Sequence, residues 1–110
     1  MKTQEELDIE FNILKNKYET VYTVTVPVSD SEDEETNYTF FIREMDRATY
    51  KQAINVMAKD SLQAIELLMK NLWVGGDDVK IVFEDFKVLR SLESPLAELF
   101  NTRRADIKKN

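Results

Sequence analysis

The chain contains no cysteine and no histidine among its 110 residues. These absences exclude disulfides, thiol nucleophiles and the usual Cys/His zinc sites. They also remove the side chain best suited to proton transfer near neutral pH. Carboxylates, serine, lysine and tyrosine are still available for catalysis, but the composition favours a protein that is not an enzyme and uses no cofactor.

Long apolar runs are also missing, and none approaches the roughly 18 residues that a membrane-spanning helix needs. The N-terminal sequence MKTQEELDIEF is polar and acidic, which is not typical of a signal peptide. The hydrophobic fraction of 43% is that of an ordinary folded protein. We therefore expect a single domain over residues 1–110, located in the cytoplasm and not bound to a membrane.

Charge is distributed unevenly along a chain whose net charge is −6. Five of the 21 acids lie within six consecutive residues, in a segment, 29–35, that we interpret as a solvated acidic hairpin loop. Counted from Asp30, the sixth residue is Glu35 and the twelfth is Phe41, so the segment does not fit an EF-hand loop. Residues 101–110 form a basic tail, for which we predict a solvated terminus and no nucleic-acid binding.

The N-terminal segment has the apolar periodicity of a helix over residues 3–18. Thr3 followed by Glu6 fits a capping box at its start. Apolar residues recur at i, i+4, i+7 and i+11 and form one stripe along the helix, which consists of Leu7, Phe11, Leu14 and Tyr18.

Two segments, residues 20–28 and 36–43, alternate with the period of a β-strand. In the first, Tyr22, Val24, Val26 and Val28 share one face, and in the second Tyr38, Phe40 and Ile42 do. Pro27 has no N–H to donate, so we expect the first strand to lie at a sheet edge or to end there. The pattern predicts a two-stranded antiparallel hairpin covered by helices.

Helical periodicity returns after Asp46, which we predict to be an N-cap. Asp60 or Ser61 caps a second helix that ends at Trp73 or Val74. The short connection predicts a helical hairpin or one helix with a sharp bend. The C-terminal third is ambiguous from Lys80 to Phe83, where a strand and a helix are both possible. A helix is predicted from Asp85, and another begins at Ser94-Pro95 and reaches Phe100.

The octapeptide NLWVGGDD, residues 71–78, contains the only tryptophan and both glycines. A phosphate cradle needs a glycine-rich turn that opens a helix, whereas these glycines follow one. We therefore interpret Gly75 as a helix C-cap in the left-handed conformation and Gly76 as a residue that allows the chain to turn. Asp77 or Asp78 then caps the next element.

Apolar side chains on the helices exceed what a domain of this size is expected to bury, and surplus apolar surface typically marks a protein partner. Aromatic residues dominate the cores of such interfaces. The predicted partner-binding residues are Tyr50, Met69, Trp73, Phe86 and Phe100.

Residues 36–80 carry two motifs that resemble small tail assembly chaperones of tailed phages and prophages. The first is a strand ending in arginine, followed by an Asp-containing helix start and a downstream aromatic, here Arg43, Asp46 and Tyr50. Glu44 and Met45 stand where that pattern often has a proline. The second is an aromatic followed by a Gly-Gly-Asp-like turn, here Trp73, Gly75, Gly76 and Asp77.

The resemblance implies a non-enzymatic protein in the cytoplasm of a bacterial host, one that binds the long helical tape-measure protein during tail assembly. The predicted fold is α+β: an N-terminal helix, a two-stranded hairpin, a helical hairpin and a helical C-terminus. One alternative is a generic interaction or regulatory module of a mobile element, including an acidic DNA-mimic inhibitor. Another is a magnesium-dependent enzyme that uses Asp77 and Asp78 with Glu84 or Asp85.

Overall fold

The structure, a computed structural model, describes residues 2–31 and 34–99, and the side chains among them outside 28–36. The candidate anchor Phe100, the basic tail at 101–110 and the side chains of the acidic segment 29–35 lie outside the described residues. The predictions made for them stay predictions.

Helix α1 spans Gln4–Lys17 and begins at the predicted capping box. The Thr3 hydroxyl accepts from the Glu6 N–H at 3.2 Å, and the Glu6 carboxylate accepts from the Thr3 N–H at 3.4 Å. Acidic residues in the first turn and lysines in the last turn suit the positive and negative ends of the helix dipole. This part of the fold is therefore determined locally.

The sheet has three antiparallel strands in the order β1-β2-β3: Val21–Ser31, Glu34–Arg43 and Trp73–Gly76. The prediction of a two-stranded hairpin is wrong, because β3 pairs with the second strand. The β1–β2 ladder also continues through Ser31 and Glu34, into the segment predicted as the acidic loop. Strand β1 lies at the edge of the sheet, as Pro27 predicted.

Each face of the sheet is covered by its own apolar cluster. Helix α1 covers one face, where its side chains pack with sheet residues in a small cluster built on Leu7, Leu14, Val21 and Phe41. The other face carries the main core, to which the sheet contributes Val24, Val26, Phe40 and Ile42. The period-two alternation of the sequence thus separates two cores on opposite sides of one sheet.

The helices of the second layer are α2 (Arg47–Met57), α3 (Ser61–Leu72), α4 (Lys80–Glu84) and α5 (Phe86–Ser91), and residues 93–99 are also helical. Asp60 caps α3 by accepting from the N–H groups of Leu62 and Gln63. The ambiguous segment from Lys80 is a helix. Helix α2 packs on α3 at the outside of this layer. In the part of the chain that the structure describes, no helix has the length and apolar character needed to cross a membrane.

Candidate functional site

Residues Trp73–Gly76 form strand β3 and are not the end and C-cap of helix α3. Helix α3 ends at Leu72, and Trp73 already has extended backbone angles of φ −61° and ψ 130°. Positive φ occurs at Gly76, at +90°, so the left-handed C-cap predicted at Gly75 is wrong. Strand β3 turns away from α3 because it adds to the free edge of β2.

Both glycines are required by close approach of other elements. A Cβ on Gly75 would lie 2.9 Å from the carboxylate of Glu10 and 2.9 Å from a methyl of Leu14, both on α1. A Cβ on Gly76 would collide with the backbone oxygen of Thr39 and lie 3.0 Å from the Cα of Phe40. Gly75 therefore leaves room for the α1 side chains, whereas Gly76 leaves room for the backbone of β2.

Asp77 completes this junction, with a side chain that is only 2% exposed. Its backbone N–H donates to Thr39 O at 2.7 Å, and its Oδ2 accepts from the Thr39 N–H at 2.8 Å. The Oδ1 accepts from the Lys2 N–H at 3.1 Å, and the backbone carbonyl accepts from Trp73 Nε1 at 3.1 Å. The side chain and backbone of Asp77 thus connect three parts of the chain: Lys2 near the N-terminus, strand β2 and the side chain of Trp73.

Glu10 ties α1 to the same place. Its Oε1 accepts from the Gly76 N–H at 2.9 Å and from Lys2 Nζ at 2.8 Å. Residues Gly75, Gly76 and Asp77 of the octapeptide therefore form a buried junction between β2, β3 and α1. Among the described residues, no three Asp or Glu side chains are grouped as metal ligands. Asp78 and Asp85 each accept a backbone N–H at the start of a helix, from Lys80 and Lys87.

Arg43 holds the first motif together. Its Nη1 lies 3.4 Å from Asp46 Oδ1, and its Nη2 donates to Asn71 O at 3.0 Å at the end of α3. The Asp46 side chain makes no capping hydrogen bond to the α2 backbone. Its pKa is lowered by hydrogen bonding from the Thr49 side chain and, less strongly, by the charge of Arg43. The motif residues therefore fix where β2, α2 and α3 meet.

The four predicted partner-binding residues that the structure describes are placed very differently. Met69 is fully buried, with an exposed fraction of 0%, and presents no surface to a partner. Tyr50 and Trp73 are half-buried and pack against the main core. Phe86 is 60% exposed.

Three further exposed apolar residues lie in the helical layer. Phe83 is 44% exposed and precedes Phe86 by three residues across the α4–α5 junction, and we call these two the phenylalanine pair. Ile54 and Met57 are 36% and 37% exposed, and with Tyr50 they form a line along α2 that we call the α2 stripe.

A sequence signal for Phe83 was present. Ile81, Val82 and Phe83 are three consecutive apolar residues, and a helix turns by about 100° per residue, so they cannot share one buried face. Val82 takes the core position, at 1% exposure, and Phe83 points away from it.

Ile9 and Ile13, at 57% and 62%, form a separate exposed pair on α1, on the other side of the sheet.

A family model described as a domain of unknown function, DUF6848, matches residues 14–94. The match spans the sheet, the octapeptide junction and the helical layer. A search of curated proteins and a search of solved structures gave no match.

Proposed function

The chain belongs to the DUF6848 family, and from this premise we propose that it is a non-enzymatic domain that binds an apolar helical segment of another protein. The observation that carries the proposal is the exposed phenylalanine pair, at 44% and 60%. Two large aromatic side chains at one helix junction expose more apolar surface than scattered single residues do. Aromatic anchors of this kind supply most of the binding energy in protein interfaces.

The α2 stripe gives the second part of the proposed binding surface. Tyr50, Ile54 and Met57 recur at i, i+4 and i+7, which is the spacing of a helix face that packs against another helix. Helix α2 packs on α3 with Ala53, which is fully buried, and leaves the stripe on its flank. Methionine adapts its shape to different neighbours, which suits a surface that accepts a series of helical segments.

The partner that we propose is the tape-measure protein of a tailed phage or prophage, with the domain acting as its tail assembly chaperone in the bacterial cytoplasm. The support is the pair of motifs at Arg43–Asp46–Tyr50 and Trp73–Asp77. Most of those residues hold the strands and helices together and so support a shared fold. Tyr50 also belongs to the α2 stripe, and we assign the contact to that stripe and to the phenylalanine pair. A tape-measure helix exposes apolar faces before the tail tube covers them, and a chaperone would shield those faces.

Co-expression with the tape-measure protein of the same genome tests this role. The tape-measure protein alone should be insoluble, and the intact chain should keep it soluble and co-purify with it. The double variant Phe83→Ser/Phe86→Ser should lose this effect, because it removes both aromatic anchors.

The matched control is Ile9→Ser/Ile13→Ser, which removes two apolar side chains of similar exposure from the opposite side of the sheet. It should keep the tape-measure protein soluble. If the intact chain leaves the tape-measure protein insoluble, the chaperone role is wrong. If both double variants lose the effect equally, the phenylalanine pair is not the binding surface.

A further inference from the structure

Helix α1 has one side against the sheet and the opposite side uncovered. Leu7 and Leu14 are buried in the small cluster, where α1 packs on β1 and β3. Ile9 and Ile13 lie on the other side of the helix and are each more than half exposed. Among the large apolar residues that the structure describes, Ile13 has the highest exposed fraction. The outer side of α1 therefore places two isoleucines in contact with water.

These isoleucines belong to a regular line of side chains along α1. Glu6, Ile9, Ile13 and Asn16 follow one another at intervals of three, four and three residues, and all four are exposed. We call them the α1 seam, because this is the spacing of the side chains at which two helices of a coiled coil meet. A shallow groove of about 290 Å³ runs beside Ile9 and Ile13. The seam thus has the geometry of a contact between two helices.

The charges beside the seam indicate which helix fits it. Glu6 lies at the N-terminal end of the seam and Lys17 just beyond its C-terminal end, and neither belongs to an ion pair among the described residues. The Glu6 carboxylate accepts from the N–H and hydroxyl of Thr3, which are uncharged, and Lys17 Nζ lies 5.5 Å from the centre of the Tyr18 ring. Eleven residues make about three helical turns, so Glu6 and Lys17 lie on the same flank of α1.

A second copy of α1 in the antiparallel direction matches both the apolar and the charged positions. A two-fold axis that crosses the helix near residue 11 sets Ile9 opposite Ile13 of the second copy, and Asn16 opposite its Glu6. In that register Glu6 lies only about 1.5 Å along the helix axis from the level of Lys17 of the second copy, on the same flank. Symmetry forms this pair twice. A parallel pair of helices would instead bring Glu6 against Glu6 and Lys17 against Lys17, which repel.

We propose that the α1 seam is a self-association surface, on which two copies of the chain pack antiparallel through Ile9 and Ile13. Glu6 of each copy then pairs with Lys17 of the other. Two helices of 14 residues bury much less than the roughly 1,600 Å² of a standard interface, so the dissociation constant is expected in the hundreds of micromolar. The dilute chain is therefore a monomer. The inference does not rest on the function proposed above, because the dimer leaves the helical layer uncovered.

A concentration series of the ¹⁵N-labelled full chain tests the contact. The series runs from micromolar to millimolar protein at physiological salt, which screens the repulsion between two chains of net charge −6. Sedimentation equilibrium should give an apparent mass that rises from 12.9 kDa towards twice that value. Amide signals of residues 5–17 should shift over the same range, and signals of residues 50–57 and 83–86 should stay in place.

The apolar part of the contact is tested by Ile13→Ser. Isoleucine and serine have similar helix propensities and the side chain is exposed, so the variant should keep the fold of the unaltered chain. It should weaken self-association by at least about tenfold, because each dimer loses two of its four central side chains. An unchanged spectrum outside α1 verifies the fold.

The charged part is tested by Lys17→Glu, which places two carboxylates together at each end of an antiparallel dimer and should weaken it about fivefold. The matched control is Lys15→Glu. It makes the same charge change in the same last turn, but Lys15 is two residues, or about 200° of rotation, away from Lys17 and should change the dissociation constant less than twofold. Adding Glu6→Gln to Lys17→Glu should recover part of the loss, because glutamine keeps the capping box and removes the repulsion.

Three results would overturn the proposal. A mass that stays at 12.9 kDa up to millimolar protein would exclude the dimer. Self-association that Ile13→Ser leaves unchanged would place the contact on another surface. Equal effects of Lys17→Glu and Lys15→Glu would contradict the antiparallel arrangement, since only Lys17 lies beside the seam.

Discussion

Gly76 and Asp77 show how single residues set the position of a whole strand. Gly76 has a positive φ and lies against the backbone of β2, and Asp77 takes both a donor and an acceptor of Thr39. A Cβ at position 76 would collide with the Thr39 backbone oxygen, and loss of the carboxylate at position 77 would remove a hydrogen bond to the Thr39 N–H. The residues at this junction stabilise the fold. Their identities are explained by contacts with residues that are distant from them in the sequence.

Gly76→Ala should destabilise the protein by at least about 2 kcal/mol, because a positive φ costs a residue with a Cβ and the backbone of Thr39 cannot move away. Gly75→Ala should cost less, about 1 kcal/mol, since its added Cβ meets the ends of two side chains, Glu10 and Leu14, that can rotate. Urea unfolding of the two variants measures the difference. Equal losses, or a larger loss at Gly75, would contradict the description of the junction.

Asp77→Asn should cost about 1–3 kcal/mol, because the amide has one acceptor oxygen and would turn its NH₂ group towards the backbone N–H of Lys2 or Thr39. The control is Asp78→Asn, at an exposed residue whose carboxylate accepts only the Lys80 N–H among the described hydrogen bonds, and it should lose under about 1 kcal/mol. Thermal unfolding of both proteins at neutral pH provides the comparison. A larger loss at Asp78 would show that Asp77 does not hold β3, β2 and the N-terminus together.

At the scale of elements, local sequence patterns predict some parts of this fold and not others. The capping box and the apolar stripe predicted α1, and Asp60 predicted the start of α3, because these signals act within one helical turn. Strand β3 could not be predicted in the same way. Its sequence, WVGG, has no period-two apolar alternation, and it forms a strand because β2 has a free edge and α1 passes over Gly75.

The predicted binding residues likewise include some whose position follows from local sequence and some whose position depends on neighbouring elements. Phe86 was predicted from its residue type, and its exposure agrees with a contact role without testing it. Met69 lies on the apolar stripe of α3 with Leu68 and Leu72, and all three are buried. The helical period therefore agrees with the burial of Met69, and α3, in the middle of the helical layer, turns that side chain into the core.

Helix α1 should unfold locally before the helices of the other layer. It is held by the smaller cluster around Leu7, Leu14, Val21 and Phe41 and by the hydrogen bonds of Glu10 and Lys2. The main core is larger and includes fully buried residues of α3. Hydrogen exchange should therefore give lower opening free energies for amides of α1 than for those of α3.

The variant Glu10→Gln should enlarge the difference in opening free energy between α3 and α1, because it removes the ion pair with Lys2 and weakens the contact to Gly76. Glu5→Gln, in the exposed first turn, is the matched control and should enlarge it less, because it loses only the favourable interaction of that charge with the helix dipole. Equal opening free energies for α1 and α3 in the unaltered chain would mean that the two cores unfold as one.

At the scale of the whole molecule, the two sides of the sheet differ in what they expose. The α1 side has one exposed apolar pair, Ile9 and Ile13, whereas the helical side has the phenylalanine pair and the α2 stripe. The junction at Trp73–Asp77 connects the two sides of the sheet, and we propose that the helical layer carries the contact surface. Binding of a partner helix should therefore leave the fold unchanged and cover only the helical side.

Hydrogen exchange of the proposed complex with a tape-measure protein, compared with the free chain, tests this most directly. We predict that protection increases at residues 50–57 and 83–86 and stays unchanged at residues 9–13 of α1. Protection confined to α1, or a complex without added protection in the helical layer, would contradict the account.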